Sequence, residues 1–175
     1  TYAKHHAALA ERFTDTHVIN ERGATVKVGS CHVFPQPLGS YAAVLAESWD
    51  GDTTPTALIV DPGYNTVDWF VCHGMTAHGL RSKAVERGMG AVMRAIAEDM
   101  IRKYDFDATT SEVVRLIDAS LVGGTELKLY GQKFDLKEHF SAGESVFEEA
   151  AQSIKNSIAS AADINIIVMS GGGAA

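Results

Sequence analysis

TALIVDPGYNTVDWFVCH, residues 56–73, is the stretch on which the fold of this chain turns. TALIVD is β-branched and apolar, the composition of a strand buried on both faces, and it runs into the turn-forming pair Pro62-Gly63. Val67 to His73 returns as a second strand, so the stretch predicts a hairpin. Asp61 closes its first strand. A buried, unpaired charge is expensive there, so Asp61 either pairs with a cation or faces a polar cleft. Asp68 opens the return strand and stands near it, or else caps or pairs locally.

Downstream, roughly His78 to Val85 reads as a third strand. Met89, Val92, Met93, Ile96, Met100 and Ile101 then recur at helical spacing, with Glu98, Asp99 and Arg102 on other faces; the methionines are core packing. Residues 105–135 read as an insertion, with a short helix from Ser111 to Ala119 and a hairpin, LKLYGQKFDL, turned at Gly131-Gln132. Phe147, Ala150, Ala151, Ile154, Ile158 and Ala161 predict one long helix from Glu138 to Ser160. NIIVMS, residues 165–170, is another buried strand, and it breaks into Gly171-Gly172-Gly173.

Upstream, YAKHHAALAERF reads as a short helix. Extended stretches follow at His17 to Asn20 and Thr25 to Phe34, around the turn Glu21-Arg22-Gly23. Pro35-Gln36-Pro37 stops the second and leads into a helix from Leu38 to Glu47, where Pro37 loses nothing by lacking an N–H. The loop WDGDTTP separates this block from the hairpin. The order is thus strand, strand, strand, helix, insertion, helix, strand.

The whole chain has 175 residues, 46% of them hydrophobic, and a net charge of −7. That suits one globular domain or two small lobes, and excludes a collagen-like repeat or a disulfide-framed miniprotein. The acidic balance argues against direct gripping of nucleic acid, which needs clustered Lys and Arg. No run reaches the length of a membrane span and no stretch reads as a signal peptide. Cys31 and Cys72 have no CxxC spacing and read as free thiols of a reducing cytoplasm. The seven histidines show no ligand spacing, and Ser170 lacks the G-x-S-x-G elbow of a hydrolase. The opening at Thr1 without Met and the close just after three glycines read as an excerpt of something longer.

Two buried strands therefore run into glycine-bearing turns, VDPGYNTVDW and IVMSGGGAA. Backbone N–H groups in such turns cradle phosphate oxygens, and glycine lets the backbone come close. A tight hairpin at Gly63 and a flexible turn at the triplet are the plainer alternatives. Magnesium, held by one or two carboxylates plus water and phosphates, suits Asp61 with Asp68 better than a protein-only cage would.

DPGYNTVD resembles the second phosphate motif of the actin, heat-shock-chaperone and sugar-kinase superfamily. IVMSGGGAA is similar to its adenosine motif, and CHVFPQPLGSYAAVL to the passage leading into the hinge helix between its halves. Within that superfamily the DPGY turn followed by Asp-Trp resembles the ParM and StbA plasmid-segregation actins and protein D of the PRTRC plasmid systems. The resemblance covers nearly the whole chain and is firm at these three passages. It implies an α/β, ribonuclease-H-like fold of the actin type, a mixed sheet flanked by helices. Residues 1–50 would be the tail of a first lobe with the hinge helix, and residues 51–175 the second lobe, with its insertion at about 105–135.

The resemblance also implies the site. Asp61 would orient magnesium-bound water, with Asp68 as its weaker partner. Gly63, Tyr64, Asn65 and Thr66 would wrap the phosphates, and Gly171, Gly172 and Gly173 would lie against the adenosine of ATP or ADP. Gly90 would stand near the nucleotide sugar, or serve packing. Gln36 would orient the attacking water, or cap the helix after it. Tyr64 and Asn65 depart from the smaller residues common in this turn. The parent protein would be a cytoplasmic ATPase forming filaments with itself and reaching plasmid DNA through an adaptor. The first phosphate loop of such a cleft is missing before Gln36, so residues 1–175 alone would be inactive. A small-molecule kinase or phosphohydrolase, and a nucleotide-sensing assembly module that does not hydrolyse, are the alternatives.

Overall fold

A computed structural model describes residues 2–48 and 54–174. The chain forms two compact units, residues 1–48 and 49–175. The boundary expected at 50/51, and most of the WDGDTTP loop, lie outside the described residues.

The first unit opens with helix α1 (Tyr2–Phe13), followed by a small antiparallel hairpin of β1 (Thr16–Val18) and β2 (Thr25–Lys27). The Asn20 side chain accepts the N–H groups of Arg22 and Ala24, both at 3.0 Å, and closes the turn. The second strand ends at Lys27 rather than running on to Phe34. Its partner offers only three rungs, and Val28 N–H already bonds back to Asp15. Helix α2 (Gln36–Ser48) starts two residues before the expected Leu38, with both Gln36 and Pro37 in its first turn. The first-turn N–H groups have no helical acceptor in any case, so Pro37 costs nothing there.

The second unit is built on the hairpin. Strands β3 (Thr56–Pro62) and β4 (Val67–His73) pair antiparallel from Thr56↔His73 to Pro62↔Val67. β3 is buried along its whole length, as its apolar run requires. The expected third strand is broken. It becomes β5 (Thr76–Ala77), a single 3-10 turn at Gly79–Arg81, and β6 (Lys83–Val85), both strands pairing with β4. The cause is Arg81, whose guanidinium reaches the Ile158 and Ser160 carbonyls at 3.1 and 2.7 Å and the Asp163 carboxylate at 2.7 Å. Those distant partners hold the segment out of the sheet.

Helix α3 (Met89–Tyr104) follows, and its apolar stripe meets α4 (Thr110–Leu121) and the hairpin of β7 (Glu126–Leu129) and β8 (Gln132–Asp135). Val92, Met93, Ile96 and Met100 pack with Val113, Ile117, Leu127 and Leu136, so the insertion has a core of its own. The hairpin turns at Tyr130-Gly131, one residue earlier than expected. Both have positive φ, 50° and 75°, as a two-residue turn matched to strand twist demands.

The expected helix from Glu138 to Ser160 is divided. Leu136–Gly143 is 3-10, and α5 (Glu144–Ile158) starts only after it. His139 is buried there. Its Nδ1 lies 2.7 Å from Asp99 Oδ2 and its Nε2 lies 3.3 Å from the Tyr104 hydroxyl. That bond holds the Asp99 carboxyl below its ordinary value. Ala150 and Ile158 of α5 cover one sheet face, against Leu58, Val60, Trp69 and Val71. β9 (Ile166–Met169) completes the sheet beside β3, parallel to it, giving the order β5-β4-β3-β9 with β6 also on β4. It is not the buried strand its composition predicts: as the last strand in that order it buries only Val168, and Ile167 and Met169 are exposed.

Thr109 caps α4 reciprocally. Its hydroxyl accepts the Glu112 N–H at 3.3 Å, while the Glu112 carboxylate accepts the Thr109 N–H at 2.8 Å. Thr109→Ala should cost about 1 kcal/mol in a denaturant titration, with Glu112→Ala adding less than its separate cost because the two share the motif.

Candidate functional site

The turn between β3 and β4 sits on the start of α3. Gly88 N–H donates to the Asn65 carbonyl at 3.1 Å, Met89 N–H to Gly63 at 2.9 Å and Gly90 N–H to Tyr64 at 2.8 Å. These are donors that a helix start leaves over, and such donors otherwise bind anions. Here the chain itself takes them.

That arrangement decides where the turn can bind. A trans peptide is planar, with its C=O and N–H pointing opposite ways, and the chain has no cis bond among the described residues. With the carbonyls of Gly63, Tyr64 and Asn65 aimed at the helix, the N–H groups of Tyr64, Asn65 and Thr66 point away from it. No acceptor among the described residues takes any of the three. Three successive free donors on the side of the turn away from α3 are available to an anion. The Gly63 N–H is spent differently, on Thr66 O at 2.8 Å and Asp61 O at 3.1 Å.

Asp61 and Asp68 are paired directly across the two strands. Asp61 is 8% exposed and its carboxylate has no hydrogen-bond or ion-pair partner among the described residues. Asp68 accepts the Thr66 hydroxyl at 2.6 Å, so its carboxylate is bonded locally while Asp61 stays open. Burial first, and the charge of Asp68 second, push the Asp61 carboxyl above its ordinary value of 3.8.

The glycine triplet lies beside Asp61. Gly171 has φ +86°, and a Cβ built on it would overlap Asp61 Oδ1, so the bare backbone leaves the carboxylate its room. A Cβ on Gly173 would stand 2.6 Å from the Pro62 carbonyl. Gly172 and Gly173 then line a hollow with Met89, Met93 and Leu121. Tyr64, Asp118 and Val122 wall one end of it, and Phe140, Glu144 and Phe147 the other. The two parts hold about 350 and 460 Å³, in the range of small-molecule pockets.

Of the residues singled out from the sequence, Asp61, Asp68, Gly63, Tyr64, Asn65, Thr66, Gly90 and the triplet come together at this one end of the sheet and the start of α3. Gly90 lies under the Tyr64 ring, where a Cβ would meet Cε1 at 2.9 Å. Gln36 is the first residue of α2, in the other compact unit. Gly88 belongs to the site as well. A Cβ on it would run into the carbonyls of the turn, 2.6 Å from Tyr64 O, and the spacing Gly88-Met89-Gly90 at a helix start was the available signal. Ser170, which lacks the elbow of a hydrolase nucleophile, has its Oγ enclosed without a partner among the described residues.

Among the described residues no three His, Cys, Asp or Glu side chains gather as a metal cage, and no helix is long and apolar enough to cross a membrane. The donor set fits a hydrated magnesium ion carried by phosphates. One open buried carboxylate, a second opposite it, and a bare-backbone cradle at Gly171 leave room for water between protein and ion.

The raised Asp61 carboxyl has a consequence for stability. Between the ordinary value and the raised one, the folded chain keeps a proton that the unfolded chain has released, so stability falls as pH rises through that window. Asp61→Asn should therefore raise the melting temperature at neutral pH, and the gain should fade below pH 3.8. Thermal melts across that range check it; equal melting temperatures at pH 7 would contradict the assignment.

A family model described as archaeal actin homologue MreB-like, C-terminal, matches residues 59–175. No curated protein matches the sequence. Among solved structures, an archaeal actin homologue superposes with a TM-score of 0.72 at 13% identity, over 86% of this chain and 47% of that one. Its complex with ADP gives 0.66 at 12%, over 87% and 49%. The actin-like protein Alp7A gives 0.69 at 18%, over 98% and 50%. A ParM filament from Clostridium botulinum gives 0.62 at 16%, over 98% and 53%. The chain spans about half the length of these structures. At such identities the superpositions show the fold alone, and that fold is actin-like. With the family model covering most of the chain, the protein belongs to the archaeal MreB-like actin homologues, in the region of their C-terminal domain.

Proposed function

We propose that the chain is part of an actin-like ATPase that binds ATP or ADP with magnesium and forms nucleotide-dependent filaments. Residues 51–175 would be its second ribonuclease-H-like lobe, and residues 1–50 the tail of the first lobe with the hinge helix. The observation that carries this reading is the open Asp61 carboxylate, buried beside a turn whose three free N–H groups face away from α3. The archaeal homologue's ADP complex and the ParM filament support it by fold.

In this reading the N–H groups of Tyr64, Asn65 and Thr66 hold the phosphates, with Gly63 shaping the turn. Gly171, Gly172 and Gly173 present bare backbone to the adenosine, and Gly90 keeps Tyr64 seated near the sugar. Asp61 accepts hydrogen bonds from water and fixes its orientation, with Asp68 opposite as the weaker partner. Magnesium, when bound, neutralises charge on the phosphates. Gln36 aligns the attacking water without deprotonating it, since an amide is no base and phosphoryl transfer depends on positioning and charge stabilisation. The protein is cytoplasmic, assembles with itself, and serves plasmid segregation in the manner of the ParM, StbA and PRTRC protein D group. It reaches DNA through an adaptor rather than directly, in keeping with the net charge of −7.

Residues 1–175 alone should bind ATP weakly and release phosphate at a negligible rate. Turnover by that purified chain, abolished by Asp61→Ala, would overturn the division into lobes. In the full-length protein, Asp61→Ala should lower ATP turnover by about 100-fold or more and abolish the ATP- and magnesium-dependent pelleting that reports filaments. Phosphate release that requires an added small molecule, without pelleting, would favour a kinase or phosphohydrolase. Nucleotide binding without any release would favour a sensing module.

A further inference from the structure

Ser170 stands in one row with Asp68 and Asp61, across the ends of three strands. Asp61 is registered against Asp68. On its other side the parallel ladder reaches Val60↔Met169, and Ser170 N–H donates to Val60 O at 2.9 Å, which sets Ser170 beside Asp61. Side chains alternate along strands, so Asp68, Asp61 and Ser170 leave the sheet from the same face as Ile59 and Val168.

The Ser170 Oγ is shut off from solvent and bonded to nothing. A buried hydroxyl without a partner is costly and calls for an explanation. Its neighbour in the row is a carboxylate that is equally open, and a carboxylate accepts several hydrogen bonds at once. Neighbouring strands lie about 4.8 Å apart, so rotations about the two side-chain torsions bring hydroxyl and carboxylate into contact. Gly171 bounds Asp61 on the remaining side without a Cβ to obstruct that rotation.

We propose that Ser170 is a positioning residue for Asp61, donating its hydroxyl hydrogen to the carboxylate in the nucleotide-bound state and so fixing the direction in which Asp61 meets magnesium-bound water. The inference rests on the proposed function and adds a residue to it. Bound ligand draws Asp61 into one orientation, and the idle hydroxyl then finds its acceptor.

The test uses the full-length protein, with Ser170→Ala and Ser170→Thr variants. Magnesium is titrated at a fixed concentration of a fluorescent ADP analogue, and thermal melts are recorded without nucleotide. Ser170→Ala should raise the half-saturating magnesium concentration by about tenfold, the worth of one hydrogen bond to a charged group. Its melting temperature should stay unchanged or rise, because the hydroxyl has no partner to lose. Ser170→Thr, which keeps the hydroxyl, should remain within about twofold of the parent. A Ser170→Ala titration indistinguishable from the parent overturns the inference and leaves the proposed function standing. Weakened binding that comes with a lowered melting temperature and is not rescued by Thr makes Ser170 structural and also overturns it. A parent that binds no ADP overturns the proposed function, and this inference with it.

Discussion

Three hydrogen bonds from the first N–H groups of α3 to the carbonyls of the β3–β4 turn govern the second unit. They join the sheet to the helix that carries the insertion, and they orient the three peptides from Gly63 to Thr66. A helix start ordinarily draws anions to itself through its leftover donors and its dipole. Here those donors are spent inside the chain, and the capacity to bind an anion passes to the N–H groups on the opposite side of the same peptides. Glycine at position 88 is the steric condition for this, since any Cβ there would push the turn off the helix. Gly90 adds the seat for the Tyr64 ring. The tyrosine that departs from the smaller residues common in such turns therefore has a place made for it, beside the free donors rather than across them.

The second constraint is charge at the edge of an apolar sheet. Asp61 follows five buried residues of β3 and is itself only 8% exposed. Thr66 satisfies Asp68 locally, which removes one acceptor and sharpens the contrast between the two carboxylates. The glycine triplet then comes down beside Asp61 without covering it. A nearly buried acid that no cation among the described residues neutralises is suited to an external partner.

How legible this was depends on the range of the forces involved. The hairpin, the start of α3 and the existence of β9 follow from composition and spacing, whereas the burial expected of β9 does not, since only its Val168 is buried. The carboxylates and glycines of the site were readable because each sits at the end of an apolar run. The broken third strand was not, because its cause is Arg81 reaching Asp163 and the carbonyls after α5, far along the chain. Nor was the division of the helix expected from Glu138. The apolar spacing there is helical throughout, but His139 is tied to Asp99 on α3, and Gly143 is pressed so near Val92 that a Cβ would lie 2.7 Å from its Cγ1. The orphaned Ser170 hydroxyl is a property of register, visible only once β9 is known to lie parallel to β3.

That parallel pairing also sets a timetable. The bond from Thr56 N–H to the Asn165 side chain closes 109 residues of chain, and drawing together ends so far apart costs on the order of 4 kcal/mol of loop entropy before any contact is made. The hairpin and the insertion close over much shorter spans and can form first, whereas non-local pairing slows folding. Asp61 is synthesised before Gly171, with β4, α3, the insertion and α5 between them, so all of these are made before the two can meet. Until then the acid at the end of β3 lies open to water, and the strand beside it presents an unpaired edge. The site is thus the last part of this sheet to come into existence.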